Sequence, residues 1–246
     1  EKITFHQVTT SDYSLFKYPP YTETLANELA EKIVKYDLDI IHNHYAIPHG
    51  TSAYLAKQML RDHKVKIITT LHGTDITLVG KEESFFRITK FIIESADGVT
   101  SVSDWLKNET YDYFSIKNKI EVIPNFIDQN EYSDLKLRCY PEFKKTPILC
   151  HISNLRPVKR PLDVIKAFHL VLQKMDCRLM LVGEGPGLDD VVALAKELNV
   201  LDKITFKGNH ADILEVLPCA DVVLLLSDRE SFGLVALEAM GCGIPV

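Results

Sequence analysis

The chain has 246 residues, 46% hydrophobic and 25% charged, enough for one large or two medium domains with a substantial core. Its 34 acidic against 28 basic side chains give a net charge of −6, which speaks against a nucleic-acid partner while leaving room for a local basic cleft. No apolar run approaches the roughly 20 residues of a membrane-spanning helix, and five scattered cysteines without a C-x-x-C pair read as reduced thiols of a cytoplasmic protein.

In chain order, residues 3–8 read as a strand, 25–36 as an amphipathic helix and 38–42 as a short buried strand. A helix over 51–61, a strand over 66–71, a helix over 85–95 and a strand over 98–102 follow. Ser103 is placed to cap a helix over 104–111, and a strand over 120–123 stops at Pro124. Between Asn125 and Pro147 the periodic runs give way to polar, aromatic and proline residues, so a domain junction is expected near 140–147. A second series then begins, with strands at 148–153, 178–182, 204–207 and 222–226. Its helices are expected at 162–173, 188–198, 213–217 and 232–240. This alternation predicts an α/β fold of two Rossmann-like parallel-sheet domains, 1–143 and 144–246, with a ligand cleft between the carboxyl ends of the sheets. The first residue is not Met, and Gly243-Ile-Pro-Val246 stands where another strand is due, so a fragment of a longer protein is expected, with both domains incomplete.

Several strand exits carry chemistry. The extended aromatic segment Phe16-Lys-Tyr-Pro-Pro-Tyr21 lines an acceptor pocket or packs, and Arg87 is a candidate for a small anion or one more solvated helix residue. Ile41-His-Asn-His-Tyr-Ala-Ile-Pro-His49 is rich in histidine; His42 and His44 share one face of an extended segment, but no nearby acid or thiol completes a metal site. In Leu71-His-Gly-Thr-Asp75, His72 stands where it can meet a substrate hydroxyl or a reacting group. His151-Ile-Ser-Asn-Leu-Arg-Pro-Val-Lys-Arg160 brings three cations, Arg156, Lys159 and Arg160, to the exit of a strand, a pattern suited to a diphosphate. The glycines of Gly183-Glu-Gly-Pro-Gly187 allow close backbone approach to a ligand, without the full spacing of a dinucleotide motif.

The last strand runs into Asp228-Arg-Glu-Ser-Phe-Gly233, with Glu230 and Glu238 eight residues apart. Carboxylates at a strand exit and on the next helix suit a polyhydroxyl ligand. A hydrolase would instead need them facing one another about 5 to 9 Å apart across a glycosidic bond. Hydroxyl recognition is favoured, and the segment points to a nucleotide-sugar site.

Taken together, His72, the loop from Asn154 to Lys159, the Gly-Glu-Gly-Pro turn and Glu230-x7-Glu238 resemble the retaining glycosyltransferases of family 4, which have the GT-B fold. The resemblance runs along essentially the whole chain. The motifs Phe-Lys-Tyr-Pro-Pro-Tyr, His-x-His-Tyr-Ala-x-Pro-His, Thr-Thr-Leu-His-Gly-Thr-Asp and Asn-x-Arg-x-Val-Lys-Arg are similar to those of the subgroup that moves N-acetylglucosamine from UDP-N-acetylglucosamine to L-malate in bacillithiol biosynthesis.

That resemblance implies a set of roles. Glu230 would hold the donor sugar and Glu238 the ribose, while Lys159 with Asn154 or Arg156 would neutralise the leaving diphosphate. Gly183, Gly185, Ser231, Phe232 and Gly233 would complete the donor wall, with His210 in the segment meeting uracil. His72 would lie near the reacting centre, and Tyr45, Lys17, Thr74 and Arg87 on the acceptor side. Retention implies attack from the face of the departing phosphate, so no side-chain nucleophile is needed, and the resemblance implies no bound metal or other cofactor. The family's usual arginine of the diphosphate loop falls on Asn154, leaving that contact shared between Asn154 and Arg156. The rival readings are a family member with a lipid or polysaccharide acceptor, a UDP-sugar epimerase, and a binding module that transfers nothing. A homo-oligomer is compatible with all of them.

Overall fold

A parallel sheet needs helices packed on its faces, and each half of the chain builds such a sheet separately. The computed structural model describes residues 3–10, 17–133, 146–210 and 213–246. It divides into two compact units, Glu1–Pro124 and Asn125–Val246.

In the first unit, β1 (Ile40–His44), β2 (Lys66–Leu71), β3 (Gly98–Ser101) and β4 (Ile120–Val122) lie in the order β1-β2-β3-β4, all parallel. The helices α1 (Tyr21–Tyr36), α2 (Thr51–Met59), α3 (Thr74–Thr77), α4 (Glu83–Ser95) and α5 (Asp104–Phe114) accompany them. Leu71, Ile76, Ile93, Leu106, Phe114 and Ile120 are fully buried, each such side chain contributing about 1.5–3 kcal/mol. Ser103 caps α5 as expected, its hydroxyl accepting the Leu106 N–H at 3.1 Å. Asp97, just ahead of β3, binds Lys57 of α2 at 2.6 Å, Lys66 of β2 at 2.8 Å and the Ile67 N–H at 2.9 Å.

The second unit holds β5 (Ile148–Ile152), β6 (Arg178–Val182), β7 (Ile204–Phe206) and β8 (Val222–Val223), again parallel, in the order β7-β6-β5-β8. Its helices are α6 (Gln129–Ser133), α7 (Pro161–Leu172), α8 (Leu188–Glu197) and α9 (Leu234–Gly241). Strand alternation sorts the core into two layers. Cys150, Met180 and Val182 face Tyr132 of α6 and Ala239 of α9, whereas Leu179 and Leu181 face Val164, Ile165 and Phe168 of α7 and Val191 of α8.

Four expectations change. Residues 3–10 form no strand; a strand needs a partner, and none of the described strands pairs with them. The strand expected at 38–42 starts at Ile40, because Asp37 in the left-handed region (φ 49°) closes α1 and the Leu38 N–H turns back to Ile33 O at 3.1 Å. The strand expected at 222–226 is only two residues long: the Leu224 N–H still reaches Cys150 O, but the Leu224 carbonyl is taken by the His151 ring. The helix expected over 213–217 is instead two short 3-10 turns, Ile213–Glu215 and Leu217–Cys219, separated at Val216, and Pro218 in the second turn has no N–H with which to continue an α-helical ladder. Ile127 and Tyr132 pack on the second core, so the units divide at Pro124. The boundary expected at 143/144 lies outside the described residues, as do Phe16 and Cys139. No helix among the described residues is long and apolar enough to cross a membrane.

Candidate functional site

In the first unit, the register of β1 on β2 sets His44 beside Thr70, so the loops after both strands leave the sheet together. Tyr45 follows at once with φ 74°, a conformation that is strained for any residue with a Cβ. The surroundings hold it there. Its N–H donates to Thr70 O at 2.9 Å, and its carbonyl accepts from Gly50 N–H and from the Asn43 amide at 3.1 Å.

Asp75 ties this loop to the next. It is 1% exposed, and its carboxylate accepts the N–H groups of Ala46 at 2.9 Å, Gly73 at 2.9 Å and His72 at 3.3 Å. Burial pushes its pKa up, against the pull of those N–H groups. The result sets the Tyr45 ring centroid 5.1 Å from that of His72.

The histidines form a connected patch. Nδ1 of His44 lies 2.7 Å from Nε2 of His72, and the His42 and His44 rings are 4.7 Å apart. His42 Nε2 meets Thr70 Oγ1 at 2.7 Å, and Thr70 meets Thr100 at 2.7 Å. Burial, then neighbouring histidines, lower the pKa of both His44 and His72. Both shifts favour the neutral rings, in which one ring nitrogen donates to the other. Of the remaining acceptor-side residues, Thr74 is exposed at the start of α3, Arg87 is exposed on α4, and Lys17 is exposed with its ammonium over the Tyr18 ring.

In the second unit, β5, β6 and β8 lie side by side, so their exits converge. The loop 153–160 after β5 is pinned by the Ser153 N–H on Val182 O at 3.0 Å, the Gly187 N–H on Leu155 O at 3.1 Å and the Asp228 N–H on Val158 O at 2.8 Å. The last of these brings the loop to the segment holding Glu230, and Lys159 Nζ reaches Glu230 Oε1 at 2.5 Å. Asn154 and Arg156 are exposed on the same loop.

The glycines of the 183–187 turn face this loop. A Cβ on Gly183 would collide with Ser153 O, and one on Gly185 with Asn154 O. Their smallness is thus required by the protein's own backbone, a reason that periodicity does not reveal. The turn is also tied to 208–210: the Gly183 N–H donates to Gly208 O at 2.7 Å and Asn209 to Glu184 at 3.1 Å. His210 is exposed, 3.5 Å from Glu215.

Glu230 and Glu238 have separate surroundings. Glu230 precedes α9 in a loop with Ser231, Phe232 and Gly233, the last at φ 82°. Glu238 lies within α9; burial raises its pKa, opposed by a hydrogen bond from Tyr132. Between β8 and Glu230, the buried Ser227 hydroxyl finds no hydrogen-bond partner among the described residues.

Four supporting residues, Asp75, His151, Ser153 and Tyr132, are not singled out by the sequence. Asp75 stood inside the His72 motif, and an aspartate three residues after a strand-exit histidine is itself an N–H-capturing signal. His151 opened the cationic loop but was passed over for its cations. Tyr132 carried no signal, since only packing of α6 on α9 brings it to Glu238.

The model of Glycosyltransferase Family 4 matches residues 1–131, and that of Glycosyl transferases group 1 matches residues 136–246. The chain is 46% identical over 248 residues to N-acetyl-alpha-D-glucosaminyl L-malate synthase of Bacillus anthracis, covering 99% of this chain and 65% of the relative's length. Among solved structures it is similar to sucrose-phosphate synthase from Thermosynechococcus elongatus, with TM-score 0.74, 23% identity, and coverage of 96% of this chain and 63% of that one. Anabaena Alr3699/HepE in complex with UDP-glucose gives TM-score 0.72 at 22% identity, covering 91% and 62%. These last two likenesses establish the two-sheet α/β fold. With one family model spanning more than half its length, the chain belongs to glycosyltransferase family 4.

Proposed function

We propose that the protein is a retaining glycosyltransferase that transfers N-acetylglucosamine from UDP-N-acetylglucosamine to L-malate, as a step of bacillithiol biosynthesis in the cytoplasm. The observation that carries the transferase reading is the meeting of Lys159 and Glu230 at adjoining strand exits. It sets a cation suited to a diphosphate beside an acid suited to sugar hydroxyls. The choice of donor sugar and acceptor is supported by the 46% identity to the B. anthracis relative of that name.

In this reading Lys159, with Asn154 or Arg156, neutralises the charge that develops on the leaving diphosphate. Glu230 holds the donor sugar, Glu238 the ribose, and the Gly208-Asn209-His210 segment meets the base. Gly183 and Gly185 set the height of the floor beneath them. Among the first unit's residues, His72 acts near the reacting centre and Tyr45 faces the acceptor, with Thr74, Lys17 and Arg87 supplying further polar contacts. The cationic side chains perform the charge neutralisation that a metal would otherwise supply, so none is assigned.

The test is to incubate full-length protein with UDP-N-acetylglucosamine, with and without L-malate, following UDP release and the anomeric configuration of the product. The expected result is malate-dependent UDP release, unchanged by a chelator, giving an α-linked product. UDP release independent of malate would overturn the acceptor assignment; sugar isomerisation without transfer would favour an epimerase.

A further inference from the structure

We propose that His151 is a positioning residue for the donor loop, acting through Ser153 to fix the place of Lys159 relative to Glu230. This inference rests on the donor-site reading above.

His151 is 1% exposed on β5 and bridges two segments. Its Nδ1 lies 2.8 Å from Leu224 O, its Nε2 lies 2.9 Å from Ser153 Oγ, and Ser153 Oγ lies 3.1 Å from the Leu155 N. The two ends of this chain settle every proton in it. A carbonyl only accepts, so Nδ1 carries the hydrogen toward Leu224; an amide only donates, so Ser153 Oγ accepts from Leu155. The Ser153 hydroxyl then donates to Nε2, which in the neutral ring with Nδ1–H is an acceptor. Burial lowers the pKa of His151, which favours that neutral form.

The relay holds what the loop alone would not. Leu155 is fully buried with φ 45°, in the left-handed region that disfavours a branched side chain. From Leu155 the chain runs on to Arg156 and Lys159; from Leu224 it runs on to Glu230. One imidazole therefore couples the roots of the two segments whose tips form the Lys159–Glu230 pair. Its carbonyl partner explains why β8 ends at Val223.

The test uses full-length protein, with UDP binding measured by calorimetry and KM for donor and acceptor measured separately. Ser153→Ala removes only the hydroxyl and serves if a His151 variant fails to fold. Loss of one relay hydrogen bond is expected to weaken UDP binding, and raise donor KM, about tenfold, with the L-malate KM unchanged. The double variant His151→Leu/Ser153→Ala is expected to bind UDP no more weakly than His151→Leu alone, since both changes break one chain. Wild-type protein that fails to bind UDP would overturn the donor reading and this inference with it. Wild-type binding together with an unaffected Ser153→Ala variant, or with additive effects, would overturn the relay alone.

Discussion

Lys159 Nζ and Glu230 Oε1 stand 2.5 Å apart although the residues are 71 positions apart in the chain. The pair is about one-quarter exposed on both sides, so it adds at most about 1 kcal/mol to stability. Glu230→Gln is therefore expected to leave the urea midpoint almost unchanged while lowering kcat by about a hundredfold or more. Lys159→Ala should weaken UDP binding as well as kcat. Steady-state kinetics with calorimetry decide this; mild, equal effects from both changes would reduce the pair to a surface ion pair.

Asp75→Asn replaces a carboxylate that accepts three N–H groups with an amide that must turn its NH2 toward some of them. A cost of about 1–3 kcal/mol is expected, read from urea unfolding. Because Asp75 joins the Tyr45 and His72 loops, the acceptor KM should rise more than the donor KM. Unchanged stability would show that the loops hold themselves.

Asp97 gives a pH signature. Burial would raise its pKa, but hydrogen bonds from Lys57, Lys66 and the Ile67 N–H outweigh that and bring it down to about 2. Its folded pKa lies below the ordinary 3.8, so its stabilisation is present above that value and is lost as pH falls through about 2. The Lys66 side of the cluster is open to water, so Asp97→Asn should cost about 1 kcal/mol at neutral pH rather than the full shift. The difference from wild type should shrink between the two values. A constant gap across that window would assign the cost to packing.

Glu238 has the opposite sign. Burial raises its folded pKa, so the folded state holds the proton more tightly and stability falls as pH rises through the ordinary carboxylate range. Glu238→Gln is expected to unfold at a slightly higher urea concentration at pH 7, yet to bind UDP about tenfold more weakly. Tyr132→Phe removes the hydrogen bond that lowers this pKa, and should move the acid limb of UDP binding to higher pH. An unmoved pH profile would separate Tyr132 from the site.

Gly185→Ala should destabilise the second unit by more than about 2 kcal/mol, the scale of a backbone collision in packed surroundings. The loss should appear with or without UDP, because the added methyl meets Asn154 O of the protein itself. Stability loss seen only through weaker UDP binding would restore the ligand-facing reason for this glycine.

Much of this was legible beforehand because parallel strands and their helices announce themselves through continuous apolar runs and helical spacing. β2 and β6 fall where 66–71 and 178–182 predict them. What escaped was set by distant partners. The imidazole of His151 intercepts the carbonyl that would have extended β8. Residues 3–10 contain a strand-like pattern with no described strand beside it to complete a ladder. At the candidate site the charged residues stood out in the sequence, whereas the groups that hold them in place, Asp75, Ser153, His151 and Tyr132, are ordinary polar residues until the fold gives them neighbours.

If the loop after β5 forms the proposed donor site, the three backbone hydrogen bonds that pin it bear on donor choice. A segment fastened to β6, to the glycine turn and to the Asp228 strand exit has already lost its freedom during folding, so a nucleotide has little ordering left to impose on it. In the proposed donor site, such a loop would act as a fixed gauge for the distance between leaving group and sugar. Widening the range of donors would then mean re-spacing the chain beyond those pins, in the 208–210 segment or around Phe232, rather than exchanging side chains between them.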